Sequence, residues 1–155
     1  MRASHFITEM LSKKPVHILL LSMTFLSALY ADTRTILDGP KIVASLEENY
    51  GERAAKRGKA WLNLMHSEVR VSENESLQKV NRFFNMFHFI DDIKLWGVNN
   101  YWATPIEFIG ANGGDCEDYS IAKYFTLLEL GIADEKMRIT MVKALNLNQY
   151  HMVLA

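Results

Sequence analysis

The stretch that decides the fold runs from residue 113 to residue 131 and reads GGDCEDYSIAKYFTLLELG. Asp115 stands where a helix N-cap is expected, because Asp side chains accept hydrogen bonds from the free N–H groups of a first turn. Asp118 follows at the capping-box position, and Gly131 suits the position just after a last turn. The stretch therefore predicts a helix that begins at Cys116. Its expected apolar face carries Ile121, Tyr124, Phe125 and Leu128.

Cys116 is the only cysteine in the chain, so it forms no internal disulfide and belongs to no cysteine-rich zinc site. The free backbone N–H groups of a first helical turn stabilise a thiolate, and reactive cysteines gather at such positions. The alternative is a small buried thiol, which is what a free cysteine usually is. Gly113 and Gly114 allow close approach of another segment, and together with the helix position they favour the reactive interpretation.

Three carboxylates, those of Asp115, Glu117 and Asp118, flank this thiol. A carboxylate about 6 Å away opposes thiolate formation by roughly 2–3 kcal/mol at an effective dielectric constant near 20, or about two pKa units. Complementation of the helix dipole is an alternative role for these acids, and it explains Glu117 only in part. A reactive thiol here requires something that offsets the negative charge.

The first 31 residues differ from the rest of the chain. Arg2, Lys13 and Lys14 precede the apolar run PVHILLLSMTFLSALYA, which ends among small residues. This pattern is typical of a secretory signal peptide, so we expect export. An uncleaved membrane anchor is the alternative, because the run is just shorter than the ~18–20 apolar residues that span a bilayer. Residues 32–155 then form the functional domain.

The composition is that of one ordinary globular domain, with 49% hydrophobic and 23% charged residues. The formal net charge is -1, so no nucleic-acid partner is expected.

Helices are expected in the first half of that domain. One opens at Pro40 and ends at Gly51, and a weaker one follows with Gly58 as a soft spot inside it. A third begins after Ser72, which forms a capping-box pair with Glu75. The expected core positions of this third helix are Leu77, Val80, Phe84 and Phe87.

An aromatic, turn-rich connection leads to the cysteine stretch. Thr104 and Pro105 predict a short helix that Gly110 ends. Trp96, Tyr101 and Trp102 either plug the core beneath this loop or wall a substrate cleft beside the cysteine.

The last part of the sequence predicts a β-hairpin. We expect strands in the runs MRITMVKAL and QYHMVLA, with a turn at residues 146–148 between them. His151 lies near the start of the second strand, and a helix followed by a hairpin can bring a strand-borne imidazole against a helix-terminal thiol. A lone histidine is more often a solvent-facing or core residue.

Five short runs together carry a family resemblance: WATP, GDCED, IAKY, VKAL and NQ-x-HMVLA. From about Leu37 onward the chain resembles the bacterial transglutaminase-like cysteine proteinases of the LapG type. The resemblance implies an α+β, papain/transglutaminase-like fold, with N-terminal helices packed on an antiparallel sheet of which the first hairpin is present. It also implies a Cys–His–Asp triad, in which Cys116 is the nucleophile and His151 the general base.

The same resemblance implies a calcium-dependent periplasmic endopeptidase. Calcium would be bound by Asp115, Glu117 and Asp118, and its charge would offset their repulsion of the thiolate. The implied substrate is the N-terminal region of a large surface adhesin, whose cleavage releases cells from a biofilm. The implied partner is an inner-membrane cyclic-di-GMP receptor.

The family's third triad residue, an acid, lies on a strand after the HMVLA segment, and this sequence stops at Ala155. We therefore expect a domain that is incomplete at its C-terminus and impaired in activity, since an orienting acid fixes the histidine. The alternative is a non-catalytic, calcium-binding remnant or interaction module of the same fold.

Overall fold

The computed structural model describes residues 38–66 and 72–155, which belong to one compact unit. The expected signal peptide or membrane anchor lies outside these residues. Within the described ranges, no helix combines the length and apolar character needed to cross a membrane.

Two antiparallel helices open the domain: α1, Gly39–Tyr50, and α2, Glu52–His66. The carboxylate of Asp38 accepts a hydrogen bond from Lys41 N–H at 3.2 Å and caps α1. Gly51 takes a φ of 83° between the helices, a conformation that favours glycine, so the predicted stop is confirmed. Gly58 is buried against the side chain of Leu46. The expected soft spot is therefore a place where two helices approach closely.

The third helix, α3, spans Glu73–Phe84. Ser72 caps it by accepting a hydrogen bond from Glu75 N–H at 3.3 Å, as predicted. Val80, Phe84 and Phe87 are buried, but the prediction for Leu77 is wrong, because that side chain is 43% exposed. The buried stripe runs through Ser76 instead, and Val80 and Phe84 follow it at intervals of four residues.

Short elements connect α3 to the cysteine helix. They are β1 (His88–Phe89), α4 (Asp92–Leu95), α5 (Pro105–Ala111) and β2 (Gly113–Gly114). The two short strands pair in parallel, with His88 opposite Gly113 and Phe89 opposite Gly114. This ladder, which the sequence did not predict, brings the start of α4 next to the cysteine stretch.

The predicted end of α5 at Gly110 is wrong. Gly110 lies inside the helix, where the ring of Tyr50 leaves no room for a larger side chain. Asn112 ends the helix instead with a left-handed φ of 65°, a conformation that Asn tolerates better than most residues.

The cysteine helix, α6, spans Cys116–Glu129, with Gly131 just beyond its last turn as predicted. The expected apolar face is wrong at Phe125, which is 49% exposed. Thr126 is buried instead, because its hydroxyl accepts a hydrogen bond from Trp61 Nε1 at 2.8 Å and donates to the Ala122 carbonyl at 2.7 Å. A polar side chain with both bonds satisfied costs little to bury.

A 3₁₀ turn, Asp134–Lys136, leads into the hairpin of β3 (Ile139–Ala144) and β4 (Gln149–Leu154). The strands pair antiparallel with Val142 opposite His151, and α6 packs on β4. The α+β prediction of helices packed on an antiparallel hairpin is confirmed.

Phe108 joins the helices at the centre of the core. Its ring centroid lies 5.8 Å from that of Phe84, 5.1 Å from that of Phe87 and 4.8 Å from that of Tyr119. These contacts fix the first half of α6, which carries Cys116, against α3 and α5.

Candidate active site and metal centre

Cys116 is the first residue of α6 and is partly buried. The two preceding glycines form β2, and both are buried. A Cβ atom on Gly113 would collide with the carbonyl oxygen of His88, and one on Gly114 would collide with the carboxylate of Asp118. The glycine pair is therefore required for the close approach that places the thiol.

The thiol lies between a carboxylate and a strand. Cys116 Sγ donates a hydrogen bond to Glu117 Oε2 at 3.0 Å. Burial raises the pKa of the thiol, a hydrogen bond from the Met152 backbone lowers it, and the nearby charges of Glu117 and Asp115 raise it further. The repulsion expected from the sequence is present, but burial is the larger cause of the raised pKa.

The strand geometry explains the contact with Met152. Arg138 and Ala155 exchange backbone hydrogen bonds of 2.8 and 2.9 Å. Since such pairs alternate along an antiparallel ladder, the N–H group of Met152 points away from β3. It therefore faces the start of α6.

His151 precedes Met152 on β4 and is half-buried. The fold thus brings the histidine-bearing strand to the cysteine-bearing helix end, as the sequence predicted. The Cys116 thiol donates to Glu117, and no hydrogen bond joins it to the His151 imidazole. The role of His151 as general base stays a prediction.

A groove of about 940 Å³ opens beside the thiol, between α3, α6 and β4. Trp96, Tyr101 and Trp102 do not line this groove, and the interpretation of them as the wall of a substrate cleft stays a prediction. The rings of Trp96 and Tyr101 pack on each other at 4.8 Å, and Trp102 is 55% exposed.

Three aspartates form a carboxylate cluster: Asp92, Asp115 and Asp118. One oxygen from each lies within 4.8 Å of the others. The carboxylate of Asp118 accepts hydrogen bonds from Ala103 N–H at 2.7 Å and Asp115 N–H at 3.3 Å. Asp92 Oδ2 accepts one from Tyr101 N–H at 2.5 Å. These hydrogen bonds fix the carboxylates of Asp118 and Asp92 against the backbone segments around the cluster.

Two buried oxygens of this cluster, Asp92 Oδ1 and Asp115 Oδ1, have no hydrogen-bond partner. The Asp92 side chain belongs to a residue that is only 3% exposed. Burial and neighbouring carboxylates raise the pKa of Asp115 to about 7. Burial likewise raises the pKa of Asp118 to about 6, against the hydrogen bonds that lower it. Unpartnered buried oxygens that repel each other are costly without a cation.

The cluster fits a calcium ion. Calcium binds hard oxygen ligands at about 2.3–2.6 Å, so two ligand oxygens lie at most about 4.6–5.2 Å apart. The three carboxylate oxygens meet that limit. Asp115 and Asp118, two of the three ligands expected from the sequence, belong to this cluster. Glu117 belongs to a second group with Asp115 and Cys116, where it accepts the thiol hydrogen bond.

Asp92 is the site residue that the sequence did not reveal. It lies far from GDCED along the chain and belongs to no motif with it. The ladder of β1 with β2 continues through a hydrogen bond from Ile90 N–H to the Gly114 carbonyl at 2.9 Å, which carries Asp92 to the cluster. The only sequence pattern that indicates a buried carboxylate is the acid pair Asp91-Asp92 between apolar residues in FIDDIKLW.

Comparison with known proteins agrees with this architecture. Residues 50–155 match the family model described as bacterial transglutaminase-like cysteine proteinase. Legionella pneumophila LapG is 42% identical, with a TM-score of 0.66 over 76% of this chain and 65% of that chain. The EGTA-treated form of LapG is 42% identical, with a TM-score of 0.66 over 76% of this chain and 63% of that chain. The calcium-bound form is 42% identical, with a TM-score of 0.65 over 76% of this chain and 65% of that chain.

This chain therefore spans about two thirds of the length of those LapG structures. No curated protein matches it. The family match covers more than half of the sequence and includes the cysteine helix and the hairpin. The chain belongs to the bacterial transglutaminase-like cysteine proteinases.

Proposed function

We propose that this protein is a calcium-dependent cysteine endopeptidase with Cys116 as its nucleophile. The observation that carries the proposal is the position of Cys116, at the start of α6 and on the wall of an open groove. Membership of the cysteine proteinase family supports the reaction type.

The proposed chemistry is acyl transfer to the thiol and then to water. The Cys116 thiolate attacks the scissile carbonyl carbon and forms an acyl-enzyme, and the amine leaves with a proton from His151. His151 first takes that proton from the thiol, so the imidazole must displace Glu117 as the thiol's hydrogen-bond partner. The backbone N–H of Cys116, at the start of α6, would donate a hydrogen bond to the oxyanion.

Asp92, Asp115 and Asp118 would hold the calcium ion, with Glu117 as the neighbouring carboxylate. When bound, calcium supplies positive charge that offsets the carboxylates around the thiol. The support is the pair of unpartnered buried oxygens, and LapG is known in both calcium-bound and EGTA-treated forms.

The family resemblance suggests the setting. We propose a periplasmic enzyme that cuts the N-terminal region of a large surface adhesin and so releases cells from a biofilm. Its regulator would be an inner-membrane cyclic-di-GMP receptor. The basic and apolar leader in residues 1–31 supports export, and an open groove suits an extended polypeptide substrate.

A second candidate is a non-catalytic, calcium-binding module of the same fold. It is favoured by the state of the thiol, whose pKa is raised and whose hydrogen bond goes to Glu117 and not to His151. This candidate keeps the carboxylate cluster and assigns no turnover to Cys116.

Cleavage of fluorescence-quenched peptides separates the two candidates. The peptides are centred on an Ala-Ala pair, the cleavage sequence that the family resemblance implies. The endopeptidase predicts turnover with calcium, loss of turnover with EGTA, and no turnover in Cys116→Ala. Equal thermal unfolding of the variant and the wild type would show that the variant is folded. Calcium binding without turnover in the wild type would support the module instead.

A further inference from the structure

One face of α6 lines the groove beside the thiol. Cys116, Tyr119, Ser120 and Lys123 all contribute to that wall, and their spacing of three, four and seven residues puts them on one face of a helix. At a rise of about 1.5 Å per residue, Lys123 lies roughly 10 Å along the axis from Cys116. The nucleophile and a lysine thus share one wall of the groove.

The ammonium group of Lys123 is held by neutral partners only. Its Nζ donates hydrogen bonds to Asn81 Oδ1 at 2.7 Å and Asn85 Oδ1 at 2.9 Å, and it lies 5.6 Å from the ring centroid of Tyr119. No carboxylate of residues 38–66 or 72–155 forms an ion pair with it. Burial lowers the pKa of this lysine, as expected for a cation that lacks a counter-charge.

The other charged residues of the groove wall cancel each other. Lys136 and Glu73 both line the groove and form an ion pair of 2.5 Å. Among the charged side chains that line the described wall, Lys123 is therefore the one without an oppositely charged partner. One unbalanced positive side chain thus lies at a fixed distance from the thiol along α6.

We propose that Lys123, with Asn81 and Asn85, forms a subsite for an acidic side chain of the polypeptide substrate. This inference rests on the proposed peptidase function. An extended peptide rises about 3.3 Å per residue, so the 10 Å along α6 corresponds to about three residues. The recognised Asp or Glu then lies about three residues from the peptide bond that Cys116 attacks.

The alternative is a purely structural role, in which Lys123 connects α6 to α3 through its hydrogen bonds to the two asparagines. A structural tie and a subsite differ in their response to a change of charge. Lys123→Gln keeps a hydrogen-bonding side chain and removes the charge, whereas Lys123→Glu reverses it. The matched control is the double variant E73Q/K136Q. It removes the ion pair of Glu73 and Lys136 from the same groove and leaves the net charge unchanged.

A pool of random decapeptides, digested with the wild type and sequenced by mass spectrometry, tests the subsite. We expect Asp and Glu to be enriched about fivefold three residues from the cut, the size of a partly exposed ion pair. The enrichment should vanish in Lys123→Gln, change to Lys and Arg in Lys123→Glu, and persist in E73Q/K136Q. Cleavage without acidic enrichment would overturn the subsite and leave the peptidase function standing.

A binding arm keeps the test decisive if no cleavage occurs. The same pool is passed over immobilised Cys116→Ala, alone and combined with Lys123→Glu, and the bound peptides are sequenced. Acidic enrichment that Lys123→Glu abolishes, without wild-type cleavage, would support the subsite while refuting the peptidase. Bound peptides with no acidic preference, or no bound peptides, would overturn the subsite.

Discussion

Asp92 and Asp115 are far apart in the sequence, yet their unpartnered oxygens meet in one buried cluster. The motif GDCED indicated the acids next to the cysteine, because adjacent residues at a helix start are close in space. It carried no information on Asp92, which depends on the pairing of two-residue strands. Glu117 is the opposite case. Its position next to Cys116 in the sequence predicted a calcium ligand, but its carboxylate accepts a hydrogen bond from the thiol.

At the residue scale, we predict that Asp92→Asn weakens calcium binding by on the order of 10–100-fold, because it removes a negative buried oxygen ligand. Isothermal titration of calcium into the purified protein measures the affinity. Asp91→Asn is the matched control, since that neighbouring acid is exposed and pairs with Lys94. Equal loss in both variants, or no loss in Asp92→Asn, would remove Asp92 from the site.

At the element scale, the β1–β2 ladder predicts that Gly113→Ala is strongly destabilising. The added Cβ meets the backbone carbonyl of His88, which cannot rotate away, so we expect a loss of about 3 kcal/mol in the free energy of unfolding. Gly131→Ala is the control, because its φ of 85° is strained for alanine but the space around it is open; it should cost about 1 kcal/mol. Denaturant unfolding measures the loss of stability in both variants. Similar losses in the free energy of unfolding would contradict the steric account.

The cap of α5 predicts a pH dependence at Glu107. Burial alone raises the pKa of this carboxyl, but hydrogen bonds from Tyr101 and Thr104 outweigh burial and leave the pKa below its ordinary 4.5. A folded-state pKa below the unfolded value means that the charged form stabilises the fold above about pH 4.5. That contribution is lost as the pH falls through the folded-state pKa.

We therefore expect Glu107→Gln to unfold more easily than the wild type by about 1 kcal/mol at pH 7, the difference between a charged and a neutral hydrogen bond. The gap should close below about pH 4. The measurement is the difference in the free energy of unfolding between the two proteins, obtained from urea unfolding at each pH. The other carboxyls titrate in both proteins, so their contributions cancel in this difference. A gap that is constant with pH would assign the effect to packing and not to charge.

For the whole molecule, the sequence predicted the starts of every helix except α4, the hairpin and the α+β class, because caps, glycine stops and strand alternation are local. It failed where tertiary contacts decide. Leu77 faces a groove and Phe125 faces solvent, although both lie on helical apolar stripes. Thr126 is buried because Trp61, from another helix, supplies a partner. The geometry of Cys116 and His151 depends on such contacts, so the sequence indicated their elements and not their distance.

The central claim is that Cys116 is a nucleophile made usable by calcium at the neighbouring carboxylate cluster. As the only cysteine, it can be followed by intact mass during alkylation with iodoacetamide at neutral pH. The account predicts a single adduct that forms on the order of tenfold faster with calcium than with EGTA, equivalent to about one pKa unit, and no calcium effect in Asp92→Asn. Failure of the folded protein to react, or equal rates with calcium and with EGTA, would contradict it.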